Sequence, residues 1–131
     1  MTGCENNSEL KVWSCESWSC LQTVRLSGPN QDAEPARLQA ALDPAASFLV
    51  LSDIDRKLVF VLNLAQGDSR AEVVSVAEFL TPSPFLSLTV AAAGLRTVKQ
   101  NTEGVEVRLL SFVHEDLCRL QRKESKISFY G

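Results

Sequence analysis

With 131 residues, 45% of them hydrophobic and 22% charged, the chain has the composition of one globular domain rather than a disordered tract. A formal net charge of −3 argues against the broad basic face on which tight binding to nucleic-acid phosphates depends, and leaves room only for a local basic patch. No apolar run approaches the ~20 residues of a membrane-spanning helix, and "MTGCE" has neither the basic start nor the apolar stretch of a secretion signal.

Taken in order, the apolar pattern has short periods broken by turn residues, as in an all-β chain. The opening "MTGCENN" reads as the tail of a strand. Residues 10–14 ("LKVWS") and 20–26 ("CLQTVRL") read as two strands joined by a turn, with Trp-Ser-Cys written twice around it. The stretch "SGPNQDAEP" (Ser27–Pro35) is rich in Gly, Pro, Asn and charge, as a surface connection should be. Four strands then follow at 37–42, 47–52, 57–64 and 71–79. The clearest pair is "SFLVLSDIDRKLVFVLNL", whose connection is too short for a crossover helix and so predicts antiparallel neighbours. Phe48–Leu51 and Leu58–Leu62 are apolar at nearly every position, whereas a half-solvated hairpin alternates. Both faces of this hairpin must therefore be covered by protein. Segment 71–79 contains Ala and Glu in "VVSVAEFL", which leaves a short helix as the alternative. Further strands are predicted at 85–91, 95–99, 105–113 and 117–122, and "ISFYG" reads as a strand start without a partner.

Antiparallel strands buried on both faces arise in the inner sheet of a multilayer fold or in a blade stacked between other blades of a propeller. An internal repeat favours the propeller. Trp13, Leu62 and Ser111 recur at a step of 49 residues, with Phe112 serving as well as Ser111 at the third position, each in a strand–polar turn–strand cycle. That step exceeds the ~40–45 residues of common propeller repeats, and the enlarged loops account for the excess. The expected architecture is all-β: a partial WD-repeat β-propeller of two to three four-stranded antiparallel blades. Residues 1–26 end one blade, 37–79 make a second and 85–122 a third.

The candidate sites are few. Four cysteines without a secretion signal read as reduced thiols, each a small buried hydrophobe. Zinc is the rival reading for Cys4, Cys15 and Cys20, but His114 and Cys118 lie about a hundred residues away and no paired knuckles complete the set. A Cys118–His114 nucleophile pair is conceivable by residue type, yet His114 falls in a polar turn. No phosphate loop, nucleophile elbow or metalloprotease helix occurs. No catalytic, metal-binding or cofactor-binding residues are assigned. "QRKESK" (Gln121–Lys126) is the one basic cluster and reads as a solvated strand end. Thr81-Pro82 and Ser83-Pro84 read as a rigid turn into the next strand, with proline-directed phosphorylation as the alternative. Loop exposure nominates Asp53, Asp55, Arg56, Pro82 and Pro84, with Ser27–Pro35, as partner-binding candidates.

The residues carry a resemblance beyond the pattern. "NSELKVWSCESWSCLQTVRL", "FLVLSDIDRKLVFVLNL" and "EFLTPSPFLSL" resemble consecutive stretches of the WD-repeat domain of the enhancer of mRNA-decapping protein 4 family, and "VRLLSFVHEDLCRLQ" resembles its following repeat. The resemblance covers most of residues 5–121. It implies a non-enzymatic cytoplasmic scaffold that assembles the decapping enzyme with its activators in processing bodies and promotes 5′-cap removal. Charge, the short apolar runs and the missing motifs lead to the expectation of no cofactor, no membrane association and no direct nucleic-acid partner. Ser14 and Asn63 stand where WD repeats place Asp, the usual Gly-His pairs are missing, and the family's linker and helical oligomerising region have no counterpart. A fragment is therefore expected. A WD-repeat adaptor unrelated to mRNA decay, in ubiquitin ligation or trafficking, is the second reading, and a zinc protein or enzyme the third.

Overall fold

The structure, a computed structural model, describes all residues except 5–6, 27–36, 68–69, 83–84, 99–101, 117–118 and 130–131. Ten strands follow in chain order: β1 (Thr2–Cys4), β2 (Glu9–Trp13), β3 (Cys20–Arg25), β4 (Leu38–Leu42), β5 (Phe48–Asp53), β6 (Leu58–Gly67), β7 (Arg70–Leu80), β8 (Phe85–Val98), β9 (Thr102–Asp116) and β10 (Arg119–Phe129). They form three antiparallel sheets, β1-β2-β3, β4-β5-β6-β7 and β10-β9-β8. Among the described residues there is no helix.

The four-stranded sheet is a meander in which every neighbour in space is a neighbour in sequence. Leu38 pairs with Asp53 across β4–β5, Leu51 with Phe60 across β5–β6, and Leu58 with Leu80 across β6–β7. Because successive side chains of a strand point to opposite faces, the apolar runs divide between two cores. Phe48, Val50, Val59 and Val61 pack with Val90 of β8 and Val107 of β9. Leu51, Leu58, Phe60, Leu62 and Val73 pack with Leu10 and Val12 of β2 and with Leu26. The central sheet is thus covered on both faces by its neighbours in the chain, which is why β5 and β6 do not alternate. Val50, Val59 and Leu62 are fully buried, and such side chains each contribute roughly 1.5–3 kcal/mol of transfer free energy.

Two turns of this sheet are built by buried carboxylates. At the β4–β5 turn, Asp43 Oδ1 accepts from the backbone N–H groups of Ser47 at 2.7 Å and Phe48 at 2.8 Å, while Oδ2 accepts from Ala45 at 3.2 Å. Ala46 takes a left-handed φ of 54° to close the loop. At the β5–β6 turn, Asp53 Oδ1 accepts from Asp55 N–H at 3.0 Å and Arg56 N–H at 3.1 Å. Short polar side chains that bond their own backbone two or more residues on are what make Asp a turn former.

The β6–β7 ladder carries one irregularity. Asn63 pairs with Ser75 and Leu64 with Val73, so Val74 is the extra residue of a bulge. The shift directs Val73 into the core and leaves Val74 57% exposed. It also brings the Val73 backbone to Gln22 on β3, 51 positions away, whose side-chain amide bonds it twice.

The strand expected at 71–79 is present, and its helix alternative fails because pairing with β6 overrides the modest helix preference of Ala and Glu. Other expectations change. The strands expected at 85–91 and 95–99 are one strand of 14 residues, since "AAAGL" contains no residue that forces a turn and register shifts at Phe85/Ser87 and Val90/Ala92 absorb the twist. β9 and β10 run longer than the 105–113 and 117–122 expected, and Phe129 pairs with Val105, so the "ISF" segment does have a partner. Gln121–Lys126 lies inside β10 rather than at a strand end. The opening, read as the tail of a strand, does contain one: "TGC" forms β1, paired with β2.

Candidate partner-binding surface

Three chain segments meet at one end of the four-stranded sheet. The turn Ile54–Lys57 leaves β5, Arg37 precedes β4, and Thr81-Pro82 follows β7. The register makes this convergence unavoidable, since Leu38 is opposite Asp53 and Leu58 is opposite Leu80. Ile54 N–H donates to Arg37 O at 3.1 Å, and Thr81 N–H donates to Lys57 O at 2.8 Å. The Thr81 hydroxyl donates to the same Lys57 carbonyl at 3.2 Å. Lys57 itself has a φ of 55°, which closes the turn on the left-handed side.

Charge at this end is arranged in pairs. Arg37 Nε donates to Asp55 Oδ2 at 2.9 Å and Nη2 donates to Oδ1 at 2.5 Å, the parallel fork that guanidinium and carboxylate geometry favours. The Arg37 hydrogen bond holds the Asp55 carboxyl below its ordinary value, with the Arg37 and Arg56 charges acting in the same direction and desolvation opposing them. Arg56 Nη1 donates to Asp53 Oδ2 at 3.3 Å.

The predicted site residues divide accordingly. Asp55 and Pro82 are exposed, Arg56 is half-buried, and all three belong to this end of the sheet. Asp53 differs from its expectation as an exposed loop residue. It is 2% exposed, and its carboxylate is consumed in shaping the turn. Pro84 and Ser27–Pro35 lie outside the described residues. Arg37 and Thr81 were not nominated. Arg37 had no local signal, because its partner is 18 positions away; Thr81 was visible only as half of a Thr-Pro step.

At the β2–β3 turn of the first sheet, Trp13 Nε1 donates to Thr2 Oγ1 at 2.9 Å. Ser14, which stands where WD repeats carry Asp, accepts from Glu16 N–H at 3.2 Å and Ser17 N–H at 3.3 Å through its hydroxyl. A short oxygen-bearing side chain suffices for that turn. Trp18 closes it with a φ of 55° and is 75% exposed. The two Trp-Ser-Cys copies thus have unrelated roles, one in a strand and one at a turn. Cys15 and Cys20 are free thiols and are exposed, not the buried hydrophobes expected, because the turn and an outer strand carry them. Among the described residues no group of three or more His, Cys, Asp or Glu side chains is placed to hold a metal ion. The Cys4 and His114 side chains and Cys118 lie outside the described residues. No helix among the described residues is long and apolar enough to cross a membrane.

Comparison with known proteins adds the family context. The family model described as the WD40 region of Ge1, enhancer of mRNA-decapping protein, matches residues 1–69. Enhancer of mRNA-decapping protein 4 of Danio rerio is 44% identical over 93 residues, covering 69% of this chain and 7% of that relative. The Mus musculus protein of the same name is 41% identical over 88 residues, covering 64% of this chain and 6% of its own length. The Drosophila melanogaster homolog is 31% identical over 120 residues, or 79% of this chain and 9% of the relative. The chain therefore spans under a tenth of the length of these curated relatives. No solved structure matches it.

Proposed function

The chain belongs to the family of the WD40 region of Ge1, enhancer of mRNA-decapping protein, and from that premise we propose that it is a non-catalytic protein-binding module of the mRNA decapping machinery. Its fold is a partial WD40 propeller, all-β, with antiparallel sheets of three and four strands. Its role is to hold the decapping enzyme and its activators together in the cytoplasm, within processing bodies, so that 5′-cap removal is promoted. The family match is the observation that carries this reading. The mixed-charge end formed by Arg37, Asp55, Arg56 and Pro82 supports a protein partner, since a phosphate backbone selects an uninterrupted basic face.

Docking is assigned to that end of the central sheet. The test is recovery of decapping-complex proteins by the chain carrying Asp55→Ala, Arg56→Ala and Pro82→Ala together, compared with the unsubstituted chain. Recovery should fall, whereas equal recovery rejects the placement. Localisation tests the wider role: a tagged protein should concentrate in processing bodies. Exclusion from them favours a WD-repeat adaptor acting outside mRNA decay.

A further inference from the structure

We propose that Thr81 is a phosphoacceptor for a proline-directed protein kinase, and that its phosphate inverts the charge of the surface formed by the β5–β6 turn and Arg37. The inference deepens the docking reading by supplying a regulator of the same surface. The acceptor itself is tested below by a measurement that does not depend on docking.

The geometry points to Thr81 on three grounds. It is followed by Pro82, which is exposed, so the feature that a proline-directed kinase reads is presented to solvent. Its hydroxyl bond to Lys57 O lies at the surface and joins two connections through one carbonyl oxygen. The β5–β6 turn to which it is bonded holds Arg56 and Lys57 with Asp53 and Asp55, and Arg37 pairs with Asp55, so among the described residues this group carries three cations against two carboxylates. A phosphate of about −1.5 to −2 at neutral pH turns that small positive excess negative.

In the reaction, the bond between the γ-phosphorus of ATP and the β,γ-bridging oxygen breaks, and a P–O bond to Thr81 Oγ1 forms. ADP leaves, and the hydroxyl proton passes to the base of the kinase. The product oxygen has no proton to donate, so the Oγ1–H···O bond to Lys57 is lost while the Thr81 N–H bond to the same carbonyl does not need that proton. The modified surface then suits a partner with a cationic docking segment, where the unmodified one does not.

The test is treatment of the folded chain with a proline-directed kinase and ATP, followed by intact-mass measurement and peptide mapping. The expected result is a gain of ~80 Da per phosphoryl group mapping to Thr81. Thr81→Ala should abolish that label, Thr81→Ser should keep it, and Pro82→Ala should reduce it to background. Ser83→Ala, which removes the neighbouring Ser-Pro acceptor, should leave it. Phosphate only on Ser83, or labelling of Thr81 only after the chain is denatured, overturns the assignment. Recovery of decapping-complex proteins by the phosphorylated and unphosphorylated chain should then differ. Equal, non-zero recovery overturns the regulatory half, whereas absence of recovery from both forms, with Thr81 labelled, marks failure of the docking reading instead.

Discussion

Gln22 and Val73 are joined by a pair of hydrogen bonds in which a side-chain amide acts as one more strand residue. Gln22 Nε2 donates to Val73 O at 2.9 Å, and Val73 N–H donates to Gln22 Oε1 at 2.7 Å. The pair ties the first sheet to the outer strand of the second and is partly buried. Gln22→Ala removes both partners and leaves the Val73 amide and carbonyl unmet. A net intramolecular bond is worth ~1 kcal/mol and an unmet buried group costs ~1–3 kcal/mol, so the expected loss is about 2 kcal/mol. Gln22→Glu keeps the acceptor but replaces the donor with an oxygen facing Val73 O, and should be no better than Ala near neutral pH. Urea midpoints of the two variants check both statements.

Burial on two faces makes a second prediction. Leu62 is fully buried toward the first sheet and Val61 is nearly so toward the third. Leu62→Ala should cost about 2–5 kcal/mol, and Val61→Ala should also destabilise, because each opens a separate core. Leu80, on the same strand pair but 82% exposed, should change stability by no more than about 0.5 kcal/mol when replaced by Ser. Equal effects at Leu62 and Leu80 in chemical denaturation would contradict the packing.

Asp43 should be more sensitive than its exposed-loop sequence context suggests. Its carboxylate accepts three backbone N–H bonds at the β4–β5 turn. Asp43→Ala leaves those donors without their acceptor, at a cost of about 1–3 kcal/mol. Asp43→Asn retains one carbonyl oxygen and should fall between Ala and the unsubstituted chain in thermal melts.

The Arg37–Asp55 pair carries a pH dependence with a definite sign. The folded-state Asp55 carboxyl titrates below its ordinary value near 3.8, chiefly through the Arg37 hydrogen bond. A depressed pKa means that the pair's stabilisation is fully present above that ordinary value and is lost as pH falls through the folded one. Arg37→Ala should return Asp55 toward its ordinary titration, read by the carboxyl carbon shift in NMR. Because both side chains are largely exposed, added salt should shrink the difference.

The strands around 37–64 were legible because continuous apolar runs such as "FLVL" and "LVFVL" demand cover on both faces, and turn residues mark their ends. The third sheet was legible only as strand, since "AAAGL" does not distinguish a turn from an extended strand with a bulge. Asp53 and Asp55 looked alike in the sequence, yet one carboxylate is spent inside a turn and the other is offered to Arg37. Residue type does not separate them: Asp53 bonds N–H groups two and three residues on, whereas the role of Asp55 depends on Arg37, 18 positions away.

The sequence alone determined the all-β class, the antiparallel meander of the central sheet and the need for a neighbour on each side, because side-chain alternation and turn chemistry act over a few residues. Only the tertiary structure decided the bulge at Val74, the Gln22–Val73 bridge and the meeting of Arg37, Asp55, Lys57 and Thr81 at one sheet end. The last two join residues between 18 and 51 positions apart. Their existence rests on register and sheet stacking, which no local preference encodes.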